Sequence, residues 1–383
     1  MKICFVASSF GKGGSDIALL ELIDSLQKKL VDCFVILPGD GPLRIALQKR
    51  SIDFKIFPYK GWMSQKDSLV PLWKRIGRLF WNLCMAIFLF FEIKKQRPDI
   101  VYTNSIGVWV GAFVAKLARK PHIWHIHEFG LEDNNYVFDF GERFSLRFID
   151  KLSTICILVS KALIKKYQQY IPLSKLKVVY QSITISENIL NDKTVISNEK
   201  DIDIKCVIVG RLVEGKRQDD AIKAISELVH FDINARLWIV GKGSKKYKFY
   251  LNQLIKKECL SKYIKFFGFQ QNPFKFIKES DILLMCSKSE AFGRITIEAM
   301  LMGKPVIGAR SGGTMELIKE GVNGFFYTPG DYKELAEKIK FFYEHPFLMH
   351  KMGQNGQQWS SKRFTQKRYG EEVLAIFKDI LKC

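Results

Sequence analysis

Short apolar runs alternate with helix-period stretches from the first residues of this chain almost to its last, and that alternation leaves few folds open. The runs at 3–7, 33–37, 100–103, 122–125, 154–159 and 176–180 read as strands, with helical patterns at 16–30 and 43–50 after the first two. Strands separated by helix-length segments form parallel sheets covered by helices, because a parallel neighbour requires a crossover connection. A mixed polar and charged stretch at 183–203 interrupts the pattern. A second series then begins with runs at 205–209, 235–240, 264–267, 282–286 and 306–309. A chain of 383 residues is too long for one ordinary core and fits two domains. The expected division is a first domain at 1–185, a linker at 186–203, a second domain at 204–355 and a helical C-terminal segment at 356–383. Two such sheets would face a cleft at the carboxyl ends of their strands.

Composition narrows the setting. A hydrophobic content of 47% excludes a mainly disordered chain. The eight cysteines are scattered, and Cys4, Cys33, Cys156, Cys206 and Cys286 fall inside strand-like runs, as buried thiols in a reducing compartment would. They show no paired spacing for a metal. Met1-Lys2 leads straight into the first strand, so no signal peptide is expected and the cytoplasm is the predicted location.

The net charge is +21, from 60 basic and 39 acidic residues. Nucleic acid would explain it, but the chain shows no basic helix, zinc module or aromatic strand pattern of a known reader. An anionic membrane surface fits better. Residues 79–91, LFWNLCMAIFLFF, carry one polar side chain in thirteen. That run is shorter than the roughly 20 residues that cross a bilayer. Lys74, Arg75 and Arg78 precede it, Lys94, Lys95 and Arg97 follow it, and Trp62, Trp73 and Trp81 add aromatics suited to an interface. The alternative is a helix buried in the first domain. Together these features predict a protein peripheral on the inner face of the cell membrane.

The chemistry concentrates in SEAFGRITIEAMLMGKPVIGARSGGTMELI at 289–318. Glu290 and Glu298 sit seven intervening residues apart, after an apolar strand and around the start of a helix read at 297–302, with Ser287 and Ser289 as candidate caps. Gly293 between them allows close backbone approach, and amides there can face an anion. Carboxylates that accept hydroxyl hydrogen bonds beside amides that hold phosphate suit a ligand both polyhydroxylated and phosphorylated. Two solvated acids on a surface helix would show the same spacing.

This run resembles the donor-binding signature of the retaining GT-B glycosyltransferases grouped as family 4. Gly303-Lys304-Pro305-Val306-Ile307, the turn Gly312-Gly313-Thr314-Met315-Glu316, and Gly321-Val322-Asn323-Gly324-Phe325, read as hairpin-like, extend the likeness, as do Val209-Gly210-Arg211-Leu212 and Lys216 upstream. The resemblance implies two Rossmann-like domains facing a cleft, with the last helix crossing back onto the first through Phe364, Tyr369, Val373, Ile376, Phe377 and Ile380. It implies a UDP- or GDP-sugar donor held without a metal. Arg211 and Lys216 would bind its diphosphate and neutralise the leaving group, whereas Arg217 reads as a solvated charge. Glu298 would accept the ribose hydroxyls, and Glu290 would face the donor sugar and support charge at its anomeric carbon. The amides of Phe292, Gly293 and Arg294 would contact sugar and phosphate, and Gly268-Phe269-Gln270 the nucleobase. The glycine turn Gly241-Lys242-Gly243 occupies a matching place, with Lys242 equally readable as a solvated loop lysine.

On the acceptor side, Gly11-Lys12-Gly13-Gly14 lacks the full phosphate-loop pattern, yet resembles the family's glycine-rich loop that approaches the donor phosphates. Gly13 and Gly14 are the stronger positions, and a plain helix-entry turn is the alternative. In Trp124-His125-Ile126-His127-Glu128, strand alternation sends His125 and His127 to one side. The resemblance favours His127, with His125 as alternative, for orienting donor sugar and acceptor, and Glu128 for positioning His127 or meeting the acceptor. The implied reaction retains anomeric configuration by same-face substitution, with a polyprenyl-diphosphate-linked saccharide of a bacterial surface glycan as the expected acceptor. A soluble acceptor, or a non-catalytic nucleotide- or carbohydrate-binding protein on the same scaffold, are the alternatives.

Overall fold

The computed structural model describes residues 1–9, 11, 13–68, 70–185 and 204–382. The linker expected at 186–203 and Lys12 lie outside the described residues. The chain divides into two compact units, Met1–Thr184 with Phe364–Cys383, and Ile185–Arg363.

The first unit is built on β1 (Lys2–Ala7), β2 (Asp32–Leu37), β3 (Asp53–Ile56), β4 (Met63–Gln65), β5 (Ile100–Asn104), β6 (His122–Ile126), β7 (Tyr136–Phe138), β8 (Ile155–Leu158) and β9 (Leu176–Val178). Seven of these form one parallel sheet in the order β3-β2-β1-β5-β6-β8-β9, while β4 and β7 pair antiparallel as a small separate ribbon. Helices cover both faces, which is why β1 reads as an unbroken apolar run with every residue from Ile3 to Ala7 fully buried. One face, with Ile3 and Phe5, packs on Leu19, Leu22 and Leu26 of the helix Gly14–Gln27. The edge strand β3 escaped sequence reading because Asp53-Phe54-Lys55-Ile56 is only half apolar, and β4 and β7 because three residues carry no period.

The second unit carries β10 (Ile204–Val209), β11 (Ala235–Val240), β12 (Ile264–Gly268), β13 (Ile282–Met285), β14 (Val306–Ala309) and β15 (Gly324–Tyr327). All run parallel in the order β12-β11-β10-β13-β14-β15. That is the Rossmann strand order. The segment read as hairpin-like at 321–325 instead turns into β15, a parallel edge strand beside β14. A side chain at Gly324 would lie 2.1 Å from the Val306 carbonyl oxygen, so only glycine admits that pairing. The helix read at 297–302 runs from Arg294 to Leu301, with Gly293 rather than Ser287 or Ser289 at its N-cap. Gly293 has φ +89°, a left-handed turn that starts the helix three residues early.

The chain returns to the first unit at Arg363/Phe364. The helix Pro346–Arg363 belongs to the second unit, and Gln366–Lys382 packs against Gly14–Gln27. Tyr369, Val373 and Phe377 enter the same core as β1. A side chain at Gly370 would meet Ser25 Oγ at 2.1 Å, which brings the two helices unusually close.

Around the 25-residue helix Leu72–Gln96, the aromatic and basic residues expected at an interface divide between surface and interior. Trp73 and Trp81 are exposed, but Trp62 is buried, its indole N–H donating to the Ile106 carbonyl at 2.6 Å. Arg75 and Arg78 are also turned inward: Arg78 pairs with the buried Asp139 at 2.6 Å, and Arg75 donates to the Val70 and Asp139 carbonyls.

Phe377→Ala should lower the stability of the first unit by about 3–5 kcal/mol, since it opens a cavity in a closed core. Chemical denaturation followed by circular dichroism would measure it, and a change under about 1 kcal/mol would show that the last helix does not share that core.

Candidate active site

In each sheet the strand order reverses beside its first strand, between β1 and β5 and between β10 and β13. Ligands of open parallel sheets bind beyond the strand carboxyl ends at such points, where diverging connections leave a crevice. Of the predicted residues of the second unit, Lys216 and Glu290 meet at its reversal, while Gly268 and Phe269 stand at the end of β12.

Lys216 ends the single turn Glu214–Lys216 beyond β10, and Glu290 lies in the loop beyond β13. Lys216 Nζ is 2.5 Å from Glu290 Oε2, with both side chains largely buried. The two loops are also joined by the Lys288 amide donating to Gly215 at 2.8 Å. Behind Glu290, the Gly313 amide donates to the Glu290 carbonyl at 2.6 Å. A side chain at Gly312 would stand 2.3 Å from that same oxygen, and one at Gly313 would stand 2.6 Å from the Ala291 oxygen. The glycine pair is therefore a contact surface for the glutamate loop. Phe292 is buried beneath it, Arg294 opens the following helix, and Glu298 is 9% exposed on that helix. The hydroxyls of Thr296 and Thr314 flank this loop, buried and without a hydrogen-bond partner. Thr314 falls within the turn read at 312–316, whereas nothing in the spacing singled out Thr296.

The neighbouring loops interlock in the same manner. A side chain at Gly241 would lie 1.8 Å from the Gly210 oxygen, and one at Gly243 would lie 2.2 Å from the Leu212 oxygen. The Gly241 amide donates to Gly268 at 2.7 Å, tying the end of β11 to the end of β12. Arg211 is an exposed residue of this stack, and its carbonyl accepts from Gln218 Nε2 at 2.9 Å. Phe269 is exposed, with Lys242 Nζ 5.2 Å from its ring centre.

Arg217 is not a solvated charge. Its guanidinium forks the buried Asp220 at 2.7 Å through both Nε and Nη2, and this pairing holds its pKa above the ordinary arginine value. Asp220 also accepts from Tyr327 Oη and the Gly330 amide, each at 3.1 Å. Arg217 and Lys216 are adjacent in sequence, yet Arg217 pairs with Asp220, the residue that ties the helix Gln218–His230 to Tyr327 of β15, and Lys216 faces Glu290.

In the first unit, the glycine loop after β1 is fastened by Asp16. This buried carboxylate accepts from the Gly13 amide at 2.9 Å and from Ser9 Oγ at 2.7 Å, and burial raises its pKa. Gly13 caps the helix that Gly14 begins. Asn104, at the end of β5, donates from Nδ2 to the Ser15 carbonyl at 3.1 Å, which leaves its Oδ1 turned to His127 Nε2 at 2.7 Å. Gln181 Nε2 approaches His127 Nδ1 at 2.7 Å. An amide NH2 can only donate, so His127 accepts at Nδ1 and donates from Nε2, which assigns a neutral Nε2–H tautomer. Asn104 and Gln181 were invisible in sequence because 77 positions part them in the chain.

The His125 ring centre lies 4.0 Å from that of His127, the planes tilted by 42°, but His125 is fully enclosed, with Nδ1 against Tyr102 Oη at 2.7 Å. Burial, then the His127 ring, push its pKa well below the usual histidine value. His122 is buried likewise, its pKa lowered to about 3. Of the three, only His127 is partly exposed. Glu128 accepts from Ser105 Oγ and, at 2.9 Å, from the His127 amide. Burial pushes its pKa up to about 7, against the Ser105 hydrogen bond. Among the described residues, no group of three metal-ligating side chains converges.

Residues 12–187 match the model of Glycosyltransferase Family 4, and residues 191–359 match the model of Glycosyl transferases group 1. The chain is a GT-B glycosyltransferase related to these families. Over 361 residues it is 23% identical to the capsular polysaccharide biosynthesis glycosyltransferase CapM of Staphylococcus aureus, covering 88% of this chain and 92% of that one. It is 26% identical to the N-acetyl-alpha-D-glucosaminyl L-malate synthase of Bacillus anthracis over 241 residues, which span 62% of each chain. Its fold superposes on Anabaena HepE in complex with UDP with a TM-score of 0.79, at 23% identity over 99% of this chain and 100% of that one.

Glu128 gives this glycosyltransferase a testable pH signature. Its folded pKa of about 7 exceeds the ordinary 4.5, so the folded state binds the proton more tightly. Stability from this group is full below pH 4.5 and is lost as pH rises to about 7. Relative to Glu128→Gln, the parent should therefore lose up to about 3 kcal/mol between those limits. Denaturation midpoints of both proteins at pH 5 and pH 8 would read it, and parallel curves would place the Glu128 pKa near its ordinary value.

Proposed function

We propose that this glycosyltransferase moves a sugar, with retention of anomeric configuration, from a nucleoside diphosphate sugar to a hydroxyl of a lipid-linked saccharide at the membrane surface. The carrying observation is the 2.5 Å contact between Lys216 and Glu290 at the strand-order reversal of the second sheet. One fixed cation and one fixed anion at a single point suit a donor whose diphosphate gains negative charge as its anomeric carbon gains positive charge. Lys216 and Arg211 hold the departing diphosphate, Glu290 supports the anomeric centre, and Glu298 accepts the ribose hydroxyls. Gly13 and Gly14 approach the phosphates, and the amides of Phe292, Gly293 and Arg294 meet sugar and phosphate. Gly268 and Phe269 border the nucleobase.

The acceptor oxygen bonds to the anomeric carbon on the face from which the diphosphate leaves. The carbon–phosphate-oxygen bond breaks, and a leaving phosphate oxygen takes the acceptor proton. His127, fixed in orientation by Asn104 and Gln181, positions the reactants by contact and needs no proton transfer of its own. HepE with UDP supports a uridine nucleotide, and CapM supports a bacterial surface glycan. The malate synthase supports the second reading, a soluble small acceptor.

The membrane part rests on the helix Leu72–Gln96. By length and composition it could cross a bilayer. Its inward face instead binds its own unit: Asn82 exchanges two 2.8 Å hydrogen bonds with the Lys60 backbone, and Glu92 pairs with Lys55 at 2.5 Å. A helix so anchored lies along a surface. Its outward stripe, including Leu72, Trp73, Ile76, Phe80, Phe88 and Phe91, is exposed, and Lys94 and Lys95 stand at its end.

Glu290→Gln should fold as the parent does and lose about 100-fold or more in turnover. Glu298→Ala should chiefly weaken donor binding, by roughly 10- to 100-fold, measured calorimetrically with UDP and GDP sugars. Equal turnover for Glu290→Gln and parent would remove Glu290 from the reaction. Vesicles containing anionic lipid should sediment the protein at low salt and release it at high salt. Replacing Trp73, Phe80 and Phe88 with serine should abolish that sedimentation, and a parent that never sediments would favour the soluble acceptor.

A further inference from the structure

Beside the exposed stripe, the first unit contains an apolar groove of about 410 Å³ that no part of the donor chemistry uses. Among the described residues, eight side chains line it, all aliphatic or aromatic, including Leu79, Leu83, Trp62, Trp109, Phe144 and Phe148. Its floor is closed: Trp62 and Trp109 are 3% and 4% exposed, and the Trp62 indole N–H is spent on the Ile106 carbonyl. Its rim is open, with Phe144 59% exposed. Phe144 stacks on Phe148 at 6.3 Å, and Phe148 meets Trp62 edge-on at 5.8 Å, so the wall is a continuous run of rings. A groove without a polar anchor cannot orient a sugar or a nucleotide.

Two placements identify what it fits. Leu79 and Leu83 follow Leu72 and Ile76 at helical spacing on the helix Leu72–Gln96, so the groove continues the exposed stripe without a polar break. On the opposite wall, Arg143 and Arg147 are exposed on the helix Glu142–Leu152, each one residue before a groove phenylalanine and one turn apart. Exposed cations on the helix that walls a slot open to an exposed apolar stripe match an anionic headgroup joined to a hydrocarbon chain. We propose that the groove takes one aliphatic chain of an anionic membrane lipid, drawn from the bilayer while its phosphate rests on Arg143 and Arg147. This rests on the membrane-surface reading above, and extends it from contact to capture of a single chain. The indoles at the floor make occupancy visible.

The test uses the full chain with Trp73, Trp81 and Trp359 replaced by Phe, leaving Trp62 and Trp109 at the groove and Trp124 and Trp238 buried in the cores. Vesicles of phosphatidylglycerol brominated along the acyl chain are added, with sedimentation and tryptophan quenching read on the same samples. The expected result is sedimentation together with quenching. Quenching should be lost, and sedimentation kept, when Leu79→Phe and Leu83→Phe fill the groove. Leu83→Phe alone is the milder second variant, and circular dichroism checks its fold. Sedimentation with no quenching, or quenching unchanged by the filled groove, overturns the proposal and leaves the membrane reading standing. If the protein does not sediment, brominated lysophosphatidylglycerol below its micelle-forming concentration is the deciding probe. Saturable quenching by it, lost in the filled variant, supports the groove and removes the membrane reading; its absence overturns both.

Discussion

Backbone approaching backbone is the constraint on which the donor half of this protein depends. Four loops leave the carboxyl ends of β10, β11, β13 and β14, and they touch where a side chain would be impossible. Gly241 lies against Gly210, Gly243 against Leu212, and Gly312 and Gly313 against Glu290 and Ala291. Each glycine removes the methylene that would otherwise hold two loops apart, and amides then bond across the gap. The outcome is a rigid rim on which Lys216 and Glu290 meet without either sitting on a regular element. Functional side chains on loops need such support, because a free loop would spread the pair over many geometries.

The first unit solves the same problem with polar side chains. Asp16 ties the glycine loop, Asn104 links that loop's helix to His127, and Gln181 closes the other side of the imidazole. A histidine with both nitrogens occupied by amide groups is fixed in tautomer and orientation. His125, almost touching it, is driven neutral by burial and packs as part of the core. Two histidines two residues apart thus differ in kind, through enclosure alone.

The outer surface of the first unit follows a third logic. The helix Leu72–Gln96 directs Asn82, Glu92 and Arg78 inward beside Ala86, Leu89 and Ile93, while Leu72, Trp73, Phe80, Phe88 and Phe91 face outward, so apolar residues occupy both sides. Satisfied polar contacts hold it to the unit, so its exposed stripe is a property of the folded surface. Arg75 and Arg78, which look in sequence like part of a basic flank, are spent on Asp139 and nearby carbonyls.

Much of this was legible in the chain itself. Strand runs buried on both faces are apolar throughout, so eleven strands could be read from composition and length, and their alternation with helices dictated parallel sheets. The paired glutamates, the basic residues after β10 and the glycine turns were legible because close approach and phosphate binding each permit few residue types. Short or half-apolar strands were not: β3, β4, β7 and β15 exist through their partners and carry little pattern of their own. Residue chemistry alone could not separate Lys216 from Arg217, Trp62 from Trp73, or His125 from His127; the family resemblance favoured Lys216 and His127, and the reading of Arg217 as solvated failed because its partner Asp220 is buried. Only the folded chain decides which member is enclosed and which is presented, because enclosure depends on neighbours brought from distant positions. Local sequence determined the elements and the kinds of chemistry; tertiary packing decided which side chains are available to perform it.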